Sequence, residues 1–530
     1  MTATAIRQAP AAARPRGPKT RPTALVAAAV GCLSLVIRLS LAYRSFDLFG
    51  DEVIYTGIGR SVASGGFPRF DGQLFFLHPP AFFYLEAGWQ RLLGSQPGLV
   101  AQIYQMRTLN VLIAGVTGTL MVLLATRATS SLATGSVVGM LFALDPFCIR
   151  QNDRVLLETS MMLWVLLGYL VYLSMIGRPP SRWLWTRAVG AGLLFGIAVL
   201  TKDEATLLTV FPLILAALLR WGARRAVTLL TACTTVSVYA AYVAVVAANG
   251  HIGSWLQQKT MGIQRILGLV QVTGFHQAGS PSIFSVLLSE SSYFGTTYVI
   301  LILAVPALFV VHQRGDHMQR MLALFWVVAG VTLGYALLFG TLEEQELYLL
   351  IIPSLLLVPV ATRLMYRPGP ARREHAWQRR LASRWRPVTI AGLVLAMSLN
   401  AATWAQWRQR PDDGYALLLR YMAAHIPAGT TITAVDGTTS DGITQYALAY
   451  RYNVGRWVTS TARCREHVGY VVIPWLEVLE HYSYYSPDRV RDLVRHGQLL
   501  FSFHGPTYSD VTLYRIPLPH AGKHGQDCGA

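Results

Sequence analysis

Apolar residues along this chain gather in blocks of about 17 to 22, separated by short polar stretches, and helices of that length cross roughly 30 Å of hydrocarbon. Eleven blocks are predicted as spans: 23–43, 108–126, 133–148, 157–177, 188–202, 204–220, 227–248, 294–312, 321–340, 347–365 and 388–406. After about residue 407 the pattern changes and the spans stop. Residues 412–427 have amphipathic helical spacing, 431–435 form an apolar strand, and a further helix is expected around 440–450. A second buried strand is predicted at 468–473, bounded by Pro474, and a helix near 487–496 precedes two alternating segments at 499–503 and 511–516. Helix and strand alternate here, as in a small α/β domain. The expected fold is therefore a polytopic α-helical membrane protein of about 11 transmembrane helices with a small C-terminal α/β domain. Its regions are a basic segment 1–22, a transmembrane region 23–406 and the domain 407–530.

Composition agrees with this reading. Of the 530 residues, 53% are hydrophobic and 14% charged, and the mean hydropathy is +0.40, which is too apolar for an ordinary soluble protein. The first block is too long for a signal-peptide core and more spans follow it, so it reads as an anchor.

The net charge of +18 would suit a nucleic-acid partner, but no aromatic-basic face supports one. The arginines instead occupy alternate loops, from Arg7 to Arg21, at Arg127, and in the stretches Arg178 to Arg187, Arg220 to Arg225, Arg314 to Arg320 and Arg363 to Arg386. With eleven spans, the positive-inside rule makes those loops and the N-terminus cytoplasmic and the C-terminal domain extracytoplasmic. The other loops carry acids. Arginine greatly outnumbers lysine, which points to a bacterial cell membrane with a GC-rich genome behind it. Cys464 and Cys528 fall in the extracytoplasmic domain, where a disulfide is allowed.

The loop 44–107 between the first two spans carries the chemistry. It contains Phe49-Gly-Asp-Glu-Val-Ile-Tyr55, and adjacent carboxylates beside lipid are costly unless they face a wet cavity. Asp51 could cap a helix starting at Glu52, with Val53, Ile54, Ile58 and Val62 as its apolar face and Gly65-Gly66 as its end. Capping accounts for neither the second acid nor Tyr55 one turn on. His78 is held extended by Pro79, and Pro79 could open the next helix.

The order Asp51-Glu52, Tyr55, Gly65-Gly66-Phe67-Pro68, His78-Pro79-Pro80 and Gly94 resembles the first loop of the GT-C glycosyltransferases. More narrowly it is similar to the protein O-mannosyltransferase and aminoarabinose–lipid A transferase group. That resemblance implies a catalytic aspartate within the acidic pair and a sugar donor on polyprenyl phosphate. It also implies an arginine and an acid on the second outer loop, a place filled by Asp153-Arg154-Val-Leu-Leu-Glu158, and a Thr-Lys pair matched by Thr201-Lys202. The lipid A branch has a lysine before Pro-Pro where this chain has His78, and the large inserted domain of eukaryotic members is absent.

The residues suit such a reaction. Transfer from a lipid phosphate needs a base for the acceptor hydroxyl and cations for the leaving phosphate, and one carboxylate opposite the phosphate gives inversion. Asp51 is the expected base, with Glu52 orienting or binding the acceptor. His78, Arg154 and Lys202 are the expected phosphate contacts, and Tyr55, Asp153 and Glu158 line the substrate site, with either acid filling the second acidic role. Structural readings stand beside these: Arg154 and Glu158, four apart, could pair on one helix face, and Lys202 could snorkel at a span end. Glu343-Glu344-Gln345-Glu346 reads as a solvated loop or as a substrate or divalent-cation contact. The loop 249–293 could form an amphipathic lid over 254–272, and its histidines match no metal motif. No metal or other cofactor is expected beyond that open cation, and the acceptor could be a protein, glycan, lipid or metabolite. The alternative class, a lipid-linked sugar flippase or transporter or an envelope ligase, would place charge near the bilayer midplane; here the spans are nearly free of charge, Arg38 being the main exception.

Overall fold

The computed structural model describes residues 20–96, 98–269, 283–340, 342–366, 376–436, 443–455, 468–479, 483 and 485–517. Cys464 and Cys528 lie outside the described residues. The chain begins with α1 (Thr20–Leu39), α2 (Gly50–Ala63), a two-stranded turn of β1 (Arg69–Phe70) and β2 (Gln73–Leu74), and α3 (Ala81–Leu93). A helical bundle follows: α4 (Leu99–Thr129), α5 (Leu132–Leu144), α6 (Pro146–Asn152), α7 (Leu157–Leu173), α8 (Arg182–Thr201), α9 (Ala205–Leu219) and α10 (Arg225–Ala248). After α11 (Ile252–Ile266), it is completed by α12 (Ile283–Arg314), α13 (His317–Leu338), α14 (Tyr348–Tyr366) and α15 (Ala376–Gln409). Among the described residues, eight helices are long and apolar enough to cross a membrane, the bent pair α5–α6 makes a ninth, and α7 and α9 are shorter apolar helices. Each of the eleven expected blocks coincides with one of these elements, and the chain is a multi-pass membrane protein.

Two departures from the expected spans position the site. Helix α4 has 31 residues, about 46 Å at 1.5 Å per residue, and starts well before the expected 108. Its first turns therefore rise above the apolar layer and carry Arg107. The block 133–148 is not one straight helix but bends by 62° between α5 and α6. Pro146 lacks the N–H that would continue the ladder, and Asp145 restarts it by accepting from Cys148 N at 2.9 Å. The carbonyls freed at the end of α5 are taken by Arg38, which reaches Phe142 O and Ala143 O at 3.2 Å each. Arg38 also donates to Ser34 Oγ at 2.7 Å and Asn152 Oδ1 at 3.1 Å. The charge buried within the first span thus serves a broken helix end.

Small residues bring the helices together, as is usual where lipid removes any hydrophobic drive between them. A Cβ at Gly31 of α1 would lie 2.2 Å from Thr119 Oγ1 and 2.9 Å from the carbonyl of Gly115 on α4. Gly192 and Gly196 of α8 meet Thr234 and Val238 of α10 just as closely.

The C-terminal domain contains α16 (Gly414–His425), β3 (Thr431–Ala434), α17 (Ile443–Leu448), β4 (Asn453–Gly455), β5 (Val468–Pro474), α18 (Trp475–Leu479), α19 (Pro487–Val494), β6 (Gln498–Gly505) and β7 (Ser509–Pro517). Its sheet runs β4-β3-β5-β7-β6, parallel across β4-β3-β5 and antiparallel thereafter. Val471, Ile473, Val490 and Ile516 fill one side, while Leu418, Ile432, Val472 and Leu513 join a cluster with Val53, Ile58 and Phe83. The domain is therefore packed onto the loop bearing the acidic pair. Asp47 accepts Tyr415 N at 3.2 Å, Asp412 N donates to Arg44 O at 2.7 Å, and the Tyr508 hydroxyl donates to Leu48 O.

Candidate active site

The acidic pair sits in the first turn of α2, and the structure divides its labour. The helix starts at Gly50, with Phe49 at the capping position, so Asp51 is not the cap expected from the sequence. Glu52 reaches back instead, its Oε2 accepting Phe49 N at 3.0 Å. Burial of Glu52 is complete. Its Oε1 accepts from Arg107 Nε at 2.8 Å and Val155 N at 2.8 Å, and its Oε2 from Arg107 Nη2 at 2.7 Å. The remaining Arg107 protons go to the carbonyls of Ala42, Phe46 and Asp47 at 2.8–3.0 Å. All five guanidinium donors are used, tying α1, α2, α4 and the α6–α7 junction into one point.

Asp51 faces the other way. Its Oδ2 accepts from the Gln345 amide at 3.2 Å, and among the described residues no cation pairs with it. Burial and the nearby Glu158 carboxylate raise its pKa from 3.8 to about 6, against the pull of Arg265, Lys202 and the Tyr55 hydroxyl.

Glu158, at the start of α7, accepts from Lys202 Nζ at 2.5 Å, and Lys202 also lies 3.0 Å from Glu204. Lys202 follows the last residue of α8 in extended conformation, which turns its side chain inward. At 5% exposure it does not snorkel. The expected pairing of Arg154 with Glu158 does not occur. The chain between α6 and α7 is not helical at 153–156, so the four-residue spacing puts them on different sides. Arg154 packs instead over the Phe49 ring at 4.7 Å. Asp153 lies in the field of Arg38 and Arg107, on the Glu52 side, so of the two acids Glu158 is the one beside Asp51.

His78 joins this side too. Its Nε2 is 3.3 Å from the Tyr55 hydroxyl, and burial together with Lys202, Lys259 and Arg265 pushes its pKa well below the usual value. Any contact it makes with a phosphate is therefore a neutral N–H donor.

Of the two readings of Glu343 to Glu346, the solvated loop and the contact, the structure bears on the first, and it also describes the segment expected as a lid. Glu343 to Glu346 is no free loop: Glu343 pairs with Arg265 and Glu344 with Arg150, and Gln345 reaches Asp51. The expected lid is α11, none of whose residues is buried. It is tied down by Gln258 to Leu74 O and Phe76 N, and by Lys259 to Leu77 O at 2.9 Å and Asp203 at 2.5 Å. Arg107 was missed altogether. Its only sequence signal is a charge at the head of an apolar block, and nothing in the sequence links it to Glu52, 55 positions earlier. No group of three His, Cys, Asp or Glu side chains is arranged to hold a metal among the described residues.

The sequence profile of the dolichyl-phosphate-mannose-protein mannosyltransferase family matches residues 81–249, from α3 to α10. No curated protein sequence matches the chain. Among solved structures, ArnT from Cupriavidus metallidurans bound to undecaprenyl phosphate superimposes with a TM-score of 0.55 and 13% identity, covering 94% of this chain and 98% of that one. The oligosaccharyltransferase AglB from Archaeoglobus fulgidus, in complex with an inhibitory peptide and a dolichol-phosphate, gives a TM-score of 0.56 and 10% identity over 92% of this chain and 74% of that one. The chain thus carries a match to the mannosyltransferase profile from α3 to α10, and shares the fold of ArnT and AglB along almost its whole length.

Proposed function

We propose that the protein moves a sugar, of the mannose or arabinose kind, from a polyprenyl-phosphate carrier to an acceptor hydroxyl on the extracytoplasmic side, inverting the anomeric centre. The single observation that carries this reading is the contrast within the acidic pair. Glu52 is fully committed to Arg107 and two backbone amides, whereas Asp51 faces the Lys202–Glu158 side with neutral donors, the Gln345 amide and the Tyr55 hydroxyl. Asp51 takes the acceptor's proton, and its raised pKa suits a general base working near neutral pH. Lys202, Lys259 and Arg265 receive the phosphate by exchanging contacts with Glu158, Asp203 and Glu343, and His78 adds a neutral donor. Glu158 is the second acid and holds Lys202 in place between turnovers.

The one arginine well inside a span, Arg38, is saturated by helix carbonyls, Ser34 and Asn152. These contacts give it a structural role, which speaks against the transport reading. The arginine-rich loops support a cytoplasmic N-terminus and a C-terminal domain that lies outside with Asp51. The test is a membrane assay with a panel of polyprenyl-phosphate sugars, in which one should be consumed with release of polyprenyl phosphate. Consumption of none would overturn the donor class. Reporters fused near residues 375 and 410 should read as cytoplasmic and extracytoplasmic respectively.

A further inference from the structure

Behind Asp51 the polar side chains form a line with a direction. Tyr55 follows Asp51 by one turn of α2, so the two share a helix face, and its hydroxyl acts on the Asp51 carboxylate. On its other side that hydroxyl is 3.3 Å from His78 Nε2. The Tyr55 and His78 rings meet edge to face with centroids 5.8 Å apart, and Phe75 and Phe83 pack around them. Next to His78 along the chain, the carbonyl of Leu77 accepts from Lys259 Nζ at 2.9 Å, and Lys202, Lys259 and Arg265 all act on the imidazole; a phosphate that displaced their carboxylate partners would be held by these cations.

The line therefore runs from the acceptor hydroxyl, which loses a proton, toward the cations that would hold a leaving phosphate able to take one up. The acceptor hydroxyl loses one, and the phosphate monoester left behind gains a site with a pKa of about 6. We propose that Asp51, Tyr55 and His78 form a proton-return relay that carries the acceptor's proton to the departing phosphate. This rests on the polyprenyl-phosphate reading above. As the acceptor oxygen bonds to the sugar's anomeric carbon, its proton passes to Asp51. The bond from that carbon to the phosphate oxygen breaks, and its electron pair stays on the phosphate. The Asp51 proton then moves to the Tyr55 oxygen while the Tyr55 proton moves to His78 Nε2. The imidazolium gives its Nδ1 proton to the phosphate oxygen. Asp51 is again ionised, Tyr55 and His78 are again neutral, and the imidazole returns to its starting tautomer by exchange with water after product leaves.

No extra charge is left in the buried site. Burial and the surrounding carboxylates Asp51, Glu158 and Glu204 hold Tyr55 protonated, and burial with the three cations holds His78 neutral. Both groups thus rest neutral, and the relay further requires the His78 proton to rest on Nδ1, so that Nε2 accepts from Tyr55.

The test uses the full chain and whichever polyprenyl-phosphate sugar the panel identifies. Tyr55→Phe and His78→Gln should each lower kcat by about 10–100-fold, less than loss of the base itself, and in Tyr55→Phe, which removes no phosphate contact, the donor KM should move by no more than about twofold. Because the steps are in series, the double variant should be no slower than the slower single one. Added imidazole should restore turnover to His78→Ala but not to that variant combined with Tyr55→Phe. Near-normal kcat in Tyr55→Phe, losses that multiply in the double variant, or a rise in KM alone would overturn the relay and leave His78 as a phosphate contact. A wild-type protein that consumes no polyprenyl-phosphate sugar would overturn the donor reading, and the relay with it. An active wild type with an unaffected Tyr55→Phe removes the relay alone.

Discussion

Asp51 and Glu52 are neighbours in the chain and opposites in the fold. On the Glu52 side every donor meets an acceptor: the guanidinium of Arg107 is saturated, and three separate backbone segments close on the pair. On the Asp51 side acids outnumber cations, with Glu158, Glu204 and Glu346 near Lys202 and only the neutral Gln345 amide and Tyr55 hydroxyl on Asp51 itself. A helix places consecutive side chains about 100° apart, so one peptide step moves a carboxylate from a finished interior to an unfinished one. Charge that is fully paired and buried holds shape, whereas charge left short of partners remains free to react.

The largest effect that would break this comparison is on turnover. Asp51→Asn keeps the size and removes the proton acceptor, so the rate should fall about 10²–10⁴-fold with folding unchanged. A variant retaining more than about a tenth of wild-type turnover would remove Asp51 as the base. Glu52→Ala should do the reverse and unfold the protein, because it strands the buried Arg107; loss of one partner of such a pair costs about 3–5 kcal/mol. The midpoint of unfolding in detergent is the measurement, and an unchanged midpoint would show that the two sides are not different in kind.

The pH profile sharpens the contrast. The Asp51 carboxyl is raised from 3.8 to about 6, so kcat should rise as pH passes through about 6 and level off above it, and the rise should be absent from the residual activity of Asp51→Asn. Stability has the opposite sign. A carboxyl with a raised folded-state pKa favours the fold while protonated, and that contribution is full below about 4 and lost as pH rises through about 6. The smallest effect belongs to the rim, where Arg44 is mostly exposed beside buried Asp413. Arg44→Ala should cost no more than about 1 kcal/mol and leave kcat alone.

Much of the architecture was legible in the sequence, because each apolar block had to reach across the same hydrocarbon layer and each strand in the last 110 or so residues alternated or ran apolar between breakers. The eleven blocks and the strands at 431–435, 468–473, 499–503 and 511–516 all have counterparts. The bend at Asp145 was not legible, since hydropathy is blind to a proline's missing donor when apolar residues continue on both sides. Lys202 and Glu158 were expected near the chemistry. That they pair with each other, while Arg154 turns away, depended on the chain leaving the helix at 153–156.

The sequence by itself determined that a pair of acids, a His-Pro-Pro turn and a Thr-Lys step would stand at the ends of membrane helices, because residues so costly in lipid are confined to such places. Only the tertiary structure decided which acid was spent on Arg107 and which was left without a cation of its own among the described residues. Glu52 and Arg107 lie 55 positions apart, and Asp51 and Gln345 lie 294 apart. Contacts of that range arise from the packing of α2 against α4, α7 and the turn before α14, and no local pattern encodes them.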